Sequence, residues 1–77
     1  MTFDEARDWL TSVGGTWVLG RQRIRSKAAV IVTVSIGGAG QVARYGVFDD
    51  TLQGAELDRA IGRAVAAACD ELRKALG

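Results

Sequence analysis

The chain has 77 residues, enough for one small domain with one hydrophobic core but not for two. Ten basic and nine acidic residues give a net charge of +1, and 48% of the residues are hydrophobic, which excludes a disordered or collagen-like chain. One cysteine and no histidine exclude a disulfide within the chain and the usual zinc sites.

The sequence also bears on location. The longest apolar run, residues 28–34, is too short to cross a bilayer, and the acidic N-terminus does not resemble a secretory signal. The excess of arginine over lysine is typical of a GC-rich bacterial or phage genome. We therefore expect a protein of the bacterial host cytoplasm that has no membrane partner.

The first predicted element is a helix. Thr2 and Glu5 have the spacing of a capping box, in which each side chain bonds the other residue's backbone amide. Apolar residues then recur at spacings of three and four to form one stripe: Phe3, Ala6, Trp9, Leu10 and Val13. Gly14 and Gly15 predict the end of the helix, because glycine adopts the left-handed cap conformation without strain.

Three strands are predicted between residues 16 and 48. Residues 28–36 alternate apolar β-branched residues with others, as a half-buried strand does. A turn of about four residues, 37–40, joins this strand to a second one from Gln41 to Phe48, and the two form an antiparallel hairpin. The remaining strand runs from Thr16 to about Ser26, where the isolated Gly20 indicates a bulge.

The last predicted element is a second helix, preceded by possible cap residues at 49–51. It begins at Leu52 or, after the helix-weakening Gly54, near Ala55. Its stripe of apolar residues continues almost to the end of the chain: Leu57, Ile61, Ala64, Val65, Ala68, Leu72 and Leu76.

The order α-β-β-β-α predicts a single α+β domain over residues 1–77. We expect a three-stranded antiparallel meander with residues 28–36 in the centre, both helices packed on one face, and the opposite face open to solvent. The predicted core depends on four side chains: Trp9, Val32, Ile61 and Leu72.

The most unusual feature is a run of cations at alternate positions: Arg21, Arg23, Arg25 and Lys27. On one extended strand these side chains project from a single face about 6.8 Å apart. Arg44 points away from the face of Tyr45 and is predicted to join them. Residues 14–48 carry these five cations and no acid, whereas the segments before and after are each acidic. The sequence thus predicts a positive sheet face beside acidic helices.

Several interpretations of this basic face stay open. In one interpretation it binds an acidic protein or a nucleoprotein effector complex, and in a second it binds nucleic acid. In another interpretation the cations only prevent an edge strand from pairing with other chains. Trp17 and Leu19 share the parity of Arg21 if Gly20 is not a bulge, and Trp17 then joins the binding site on the open face. A bulge reverses the parity and packs both residues inward, which suits a domain with little core to spare.

Nothing in the sequence indicates catalysis. There is no histidine base, and the three serines lack a partner that would activate them. Cys69 lies in the apolar stripe of the second helix and is expected to behave as a small apolar residue. Asp49 and Asp50 are interpreted as helix caps, and the glycines at 37, 38 and 40 match no phosphate-binding loop. We predict a protein that is not an enzyme and has no cofactor and no metal.

Two resemblances add to this interpretation. The element order resembles the double-stranded-RNA-binding domain, in which lysines at the start of the second helix grip phosphates; the matching residues here, 49–56, are acidic, so that function is not carried over. The chain also resembles small inhibitors encoded by phages and mobile elements, notably anti-CRISPR proteins. The shared features are size, a strand at Gln41–Phe48 leading into a helix, and the lack of a catalytic set.

The second resemblance implies a protein that blocks a nucleic-acid-handling effector complex. We therefore predict a protein–protein inhibitor that binds through Arg21, Arg23, Arg25, Lys27, Arg44 and Trp17. The alternatives are a small nucleic-acid-binding module and an oligomeric adaptor that pairs edge strands, and the oligomeric state stays open.

Overall fold

The computed structural model describes residues 1–37, 40–48 and 53–76. Its elements are helix α1 (Phe3–Val13), strands β1 (Gly15–Ile24), β2 (Lys27–Ile36) and β3 (Gln41–Phe48), and helix α2 (Ala55–Leu76). The strands form one antiparallel sheet in the order β1-β2-β3. The predicted α+β meander is confirmed, with β2 in the centre.

Helix α1 has the predicted ends. The Glu5 amide donates to the Thr2 hydroxyl over 3.2 Å, and the Thr2 amide donates to the Glu5 carboxylate over 2.9 Å, which completes the capping box. The bond from the Thr2 amide stabilises the charged carboxylate and lowers the pKa of Glu5. The helix ends at Gly14, whose φ of 68° is the left-handed conformation that glycine adopts without strain.

The two strand ladders contain no bulge. β1 pairs with β2 continuously from Gly15 opposite Ile36 to Ile24 opposite Lys27, so of the two alternatives for Gly20 the strand without a bulge is the one present. The connection between them is a two-residue turn, Arg25 and Ser26, with φ values of 52° and 69°. Positive φ at both central residues is what a tight hairpin turn of this kind requires, because its twist then matches that of the strands.

Both helices lie on one face of the sheet, which we call the helix-bearing face; the other is the open face. The even-numbered residues of β2 face the helices, and those from Val30 to Ile36 are buried there. Helix α2 packs on β2 and β3, whereas α1 packs on α2 and on β1. At that contact a Cβ added to Gly15 would lie 2.6 Å from Cδ2 of Leu10, so a larger residue there would have to displace the buried Leu10 side chain.

The core agrees with the predicted apolar stripes. Val32 and Leu72 are buried, while Trp9 and Ile61 are partly buried and pack against the core. The buried residues that form the cluster are Ala6, Leu10, Val32, Val34, Ile36, Ala43, Ala64, Val65, Ala66, Ala68, Cys69 and Leu72.

The start of α2 distinguishes the two predicted helix boundaries. The helix begins at Ala55, directly after Gly54, whose φ is 57°. The predicted caps at residues 49–51 and the turn residues 38 and 39 lie outside the described residues. Among the helices that the structure describes, none is long and apolar enough to cross a membrane.

Cys69 is fully buried in the core, as a small apolar residue would be. Burial disfavours the thiolate and raises the pKa of Cys69. We expect an excess of a water-soluble thiol reagent at pH 8 to modify the native protein much more slowly than the protein in denaturant. Stopped-flow absorbance with a disulfide reagent measures both rates, and equal rates would contradict burial of the thiol.

Candidate binding surface

The β1–β2 hairpin extends further than the rest of the sheet. Pairing between β2 and β3 stops at Ala29, whereas pairing between β1 and β2 continues to Lys27. Residues 23–28 therefore form a two-stranded ribbon that projects past the end of β3. The principal extents of the molecule are 35 × 23 × 16 Å.

Four cations lie on this hairpin, and all four residues are exposed: Arg21, Arg23, Arg25 and Lys27. The prediction that they occupy one strand is wrong, because the chain reverses within the run. β1 ends at Ile24, Arg25 lies in the turn, and Lys27 is the first residue of β2. The two-residue turn gathers the charges at one end of the sheet instead of spreading them along a strand. We call residues 21–27 the basic hairpin.

The register decides which way each cation points. Directly opposed residues of an antiparallel ladder project from the same face. Arg21 lies opposite Val30 and Arg23 opposite Ala28, and even-numbered β2 residues face the helices. Arg21 and Arg23 therefore project from the helix-bearing face, which corrects the prediction that they lie on the open one.

The other cations take different positions. Lys27 pairs with Ile24 and Arg44 pairs with Thr33, and both pairs lie on the open face. Arg44 thus lies on the opposite side of the sheet from Arg21 and Arg23, in the middle of β3. The predicted basic face of five cations is therefore not a single face. The other four cations, Arg21, Arg23, Arg25 and Lys27, are distributed over both faces and the tip of the hairpin.

One of these cations forms a hydrogen bond with the turn. The Arg23 guanidinium donates to the backbone carbonyl of Ser26 over 3.4 Å. This contact links Arg23 of β1 to the second residue of the turn. The contact uses one of the five N–H donors of the guanidinium, so the exposed group has further donors for a partner.

Trp17 shares the parity of the arginines but not their exposure. Its ring meets the edge of the Phe3 ring at a centroid distance of 5.9 Å and an angle of 82°, and the residue is half-buried. Aromatic rings prefer this edge-on geometry. Trp17 thus packs at the margin of the core. It does not lie on the open face, where it was predicted to join the binding site.

Leu19 lies beside the cations, as expected for a strand without a bulge at Gly20. Leu19 lies opposite Val32 on the helix-bearing face, yet it is 48% exposed because the helices leave this part of β1 uncovered. Together with half-buried Ile24, it gives the hairpin an apolar side chain on each face. Residues 17, 19, 21 and 23 alternate along β1, and this spacing indicates that Leu19 shares a face with Arg21 and Arg23.

Tyr45 has the predicted position at the edge of the core. It lies opposite Val32 on the helix-bearing face and is 36% exposed. A hydrogen bond to Glu71 of α2 is the main reason that the pKa of Tyr45 is raised.

No arrangement suited to metal chemistry is seen in the part of the chain that the structure describes: no three His, Cys, Asp or Glu side chains are grouped to hold a metal ion. The absence of a cofactor and of catalysis stays a prediction. Comparisons of the chain with protein-family models, with curated proteins and with solved structures give no significant match.

Proposed function

We propose that this chain is a non-enzymatic inhibitor that binds an acidic protein surface of a nucleic-acid-handling effector complex through its basic hairpin. The observation that supports this best is the concentration of four exposed cations on the basic hairpin, three of them on the projecting ribbon, in a segment, residues 14–48, that carries no acid. A narrow ribbon reaches into a cleft that a flat sheet cannot enter.

The composition of the hairpin favours a protein partner. Arginine is enriched among the residues that carry most of the affinity in protein interfaces. Leu19 stands two residues from Arg21 on one face, and Ile24 lies opposite Lys27 on the other. Contacts to phosphates alone would not require these apolar neighbours.

The charge distribution orients the encounter. Residues 1–13 carry one base and three acids, and residues 49–77 carry four bases and six acids, so each segment has a net charge of −2. The hairpin is thus the positive end of a nearly neutral molecule. Complementary potentials of this kind steer association and discourage approach in other orientations.

One observation favours a second candidate, nucleic acid. The cations lie on both faces of the ribbon and at its tip, and the major groove of duplex DNA admits a two-stranded β-ribbon between two rows of phosphates. Four phosphate contacts would give a slope of about −3.6 for log K against log salt concentration, at −0.9 per contact.

Capture from the native host tests the proposal. Immobilised protein is incubated with lysate that has been treated with nuclease, and bound proteins are identified by mass spectrometry and then purified for direct binding. We expect a specific protein to be retained after nuclease treatment and a short DNA duplex to bind weakly. Retention that is lost with nuclease, together with duplex binding whose slope approaches that for four phosphates, would contradict the protein partner and support nucleic acid.

A further inference from the structure

The two edges of the sheet differ in how they are protected. β1 and β3 are both edge strands. β1 carries Arg21 and Arg23, and charged side chains on an edge discourage pairing with other chains. β3 pairs with β2 along its whole length without a bulge, contains no proline and has a single charge, Arg44. Among the residues that the structure describes, the outer edge of β3 therefore has less protection against strand addition than β1, with one charged residue where β1 has two.

We propose that β3 pairs in antiparallel fashion with β3 of a second copy of this chain. The result is a six-stranded sheet with a two-fold axis that passes through the middle of β3, perpendicular to the sheet. This inference does not depend on the function proposed for the basic hairpin.

The requirement that faces match limits the register. Opposed residues must project from the same face, so each residue pairs with one of equal parity. A register with Arg44 opposite Arg44 of the second copy places like charges together, which is destabilising. The next register, centred on Tyr45, places Arg44 opposite Gly46 of the second copy and pairs Val42–Phe48 with the same residues.

The strand is complementary to itself in this register. Gly46 is exposed and has no side chain, so the long side chain of Arg44 from the second copy finds open space above it. On the helix-bearing face, Ala43 meets Val47, and the two copies of Tyr45, each 36% exposed, meet at the axis. Aromatic cross-strand pairs are among those that stabilise antiparallel sheets. The pairing also covers Val42, which is 53% exposed.

The assembly keeps the basic hairpins accessible. Each hairpin connects β1 and β2, the strands farthest from the axis. A two-fold axis perpendicular to the sheet points the two hairpins in opposite directions along the strands. The dimer therefore presents two basic hairpins to separate sites.

A charge test at Gly46 is specific to this register. Gly46→Asp places a carboxylate opposite Arg44 of the second copy, and Gly46→Arg places a like charge there. A Cβ at Gly46 would lie 3.5 Å from Cδ1 of Ile31, an ordinary contact, and φ there is not positive, so both variants are compatible with the fold. Two such pairs form about the axis, so we expect roughly two- to thirtyfold tighter dimerisation for Asp and a weakening of similar size for Arg.

Sedimentation equilibrium measures the dimer dissociation constants, and thermal melts verify that each variant is folded. The double variant Arg44→Asp/Gly46→Arg exchanges the two charges and should restore dimerisation. A wild-type protein that stays monomeric at its highest soluble concentration would overturn the proposal. So would a dimer whose dissociation constant responds equally to Asp and Arg at position 46.

A cross-link tests the register without relying on affinities. Tyr45→Cys places two thiols opposite each other at the axis, within the distance that a disulfide spans. We expect mild oxidation to give a covalent dimer, and Cys69 is buried and does not compete. The control is Val42→Cys in the same strand. In the proposed register residue 42 lies opposite Phe48 of the second copy and far from residue 42 of that copy, so this variant should not form the cross-link. Equal cross-linking of the two variants would contradict the Tyr45 register.

Discussion

Leu72→Ala is expected to lower the free energy of unfolding by about 2–5 kcal/mol. The side chain is 2% exposed, and it lies in the cluster of helix and sheet residues that forms the core. Removing it loses the burial of three carbon atoms and leaves a cavity that the surrounding residues fill only in part. A chain of this length has a total stability of about 4–12 kcal/mol, at 0.05–0.15 kcal/mol per residue, so the loss is a large share of the whole.

Urea denaturation followed by tryptophan fluorescence measures this effect, because Trp9 and Trp17 both contact the core. The matched control is Leu76→Ala, the same substitution in the same helix at a side chain that is 45% exposed. The control should cost much less, since exposed side chains lose little on truncation. A loss below about 1 kcal/mol at Leu72 would show that α2 does not bury this face as described.

The double substitution Arg23→Glu/Arg25→Glu is expected to abolish binding of the partner while the protein remains folded. Both residues are exposed, and changes at exposed charges shift stability by less than about 0.5 kcal/mol each. At the interface each substitution replaces an attraction by a repulsion. Like charges placed together cost several kcal/mol, so affinity should fall by more than about a hundredfold.

The control for this variant is Arg59→Glu/Arg63→Glu. It changes the net charge by the same amount at two exposed positions on α2. If binding depends on the basic hairpin, the control should retain most of its affinity, whereas a response to net charge alone would weaken both variants equally. A folded Arg23→Glu/Arg25→Glu protein with full affinity would eliminate the hairpin as the site.

The same residues also test the interpretation that the cations protect an edge. Arg21 and Arg23 lie on β1, whose outer side is an edge of the sheet. If protection is their role, Arg21→Thr/Arg23→Thr should bind the partner normally but self-associate more strongly. Sedimentation beside the binding assay distinguishes this outcome from loss of binding with an unchanged association state.

Local features of the fold were predictable because each depends on a few neighbouring residues. The capping box of Thr2 and Glu5 and the left-handed Gly14 specify the ends of α1 through bonds within a single turn. The alternation of apolar residues in β2 identifies the central strand, since only alternate side chains of a strand reach the core. The order of such elements then limits the packing to two helices on one face.

The arrangement of the candidate site was not predictable, because it depends on where the chain turns and on which residues become opposed. Arg25 and Ser26 carry none of the glycine or asparagine that marks a tight turn, so the alternating cations resembled a single strand. Only the assembled sheet places Arg21 opposite buried Val30, and thereby on the helix-bearing face, while Arg44 opposite Thr33 lies on the other. The sequence by itself determined the elements and the charge of the central segment, since both follow from neighbouring residues. The tertiary structure alone decided which face of the sheet each cation occupies, because strand register is a relation between residues that are distant in the chain.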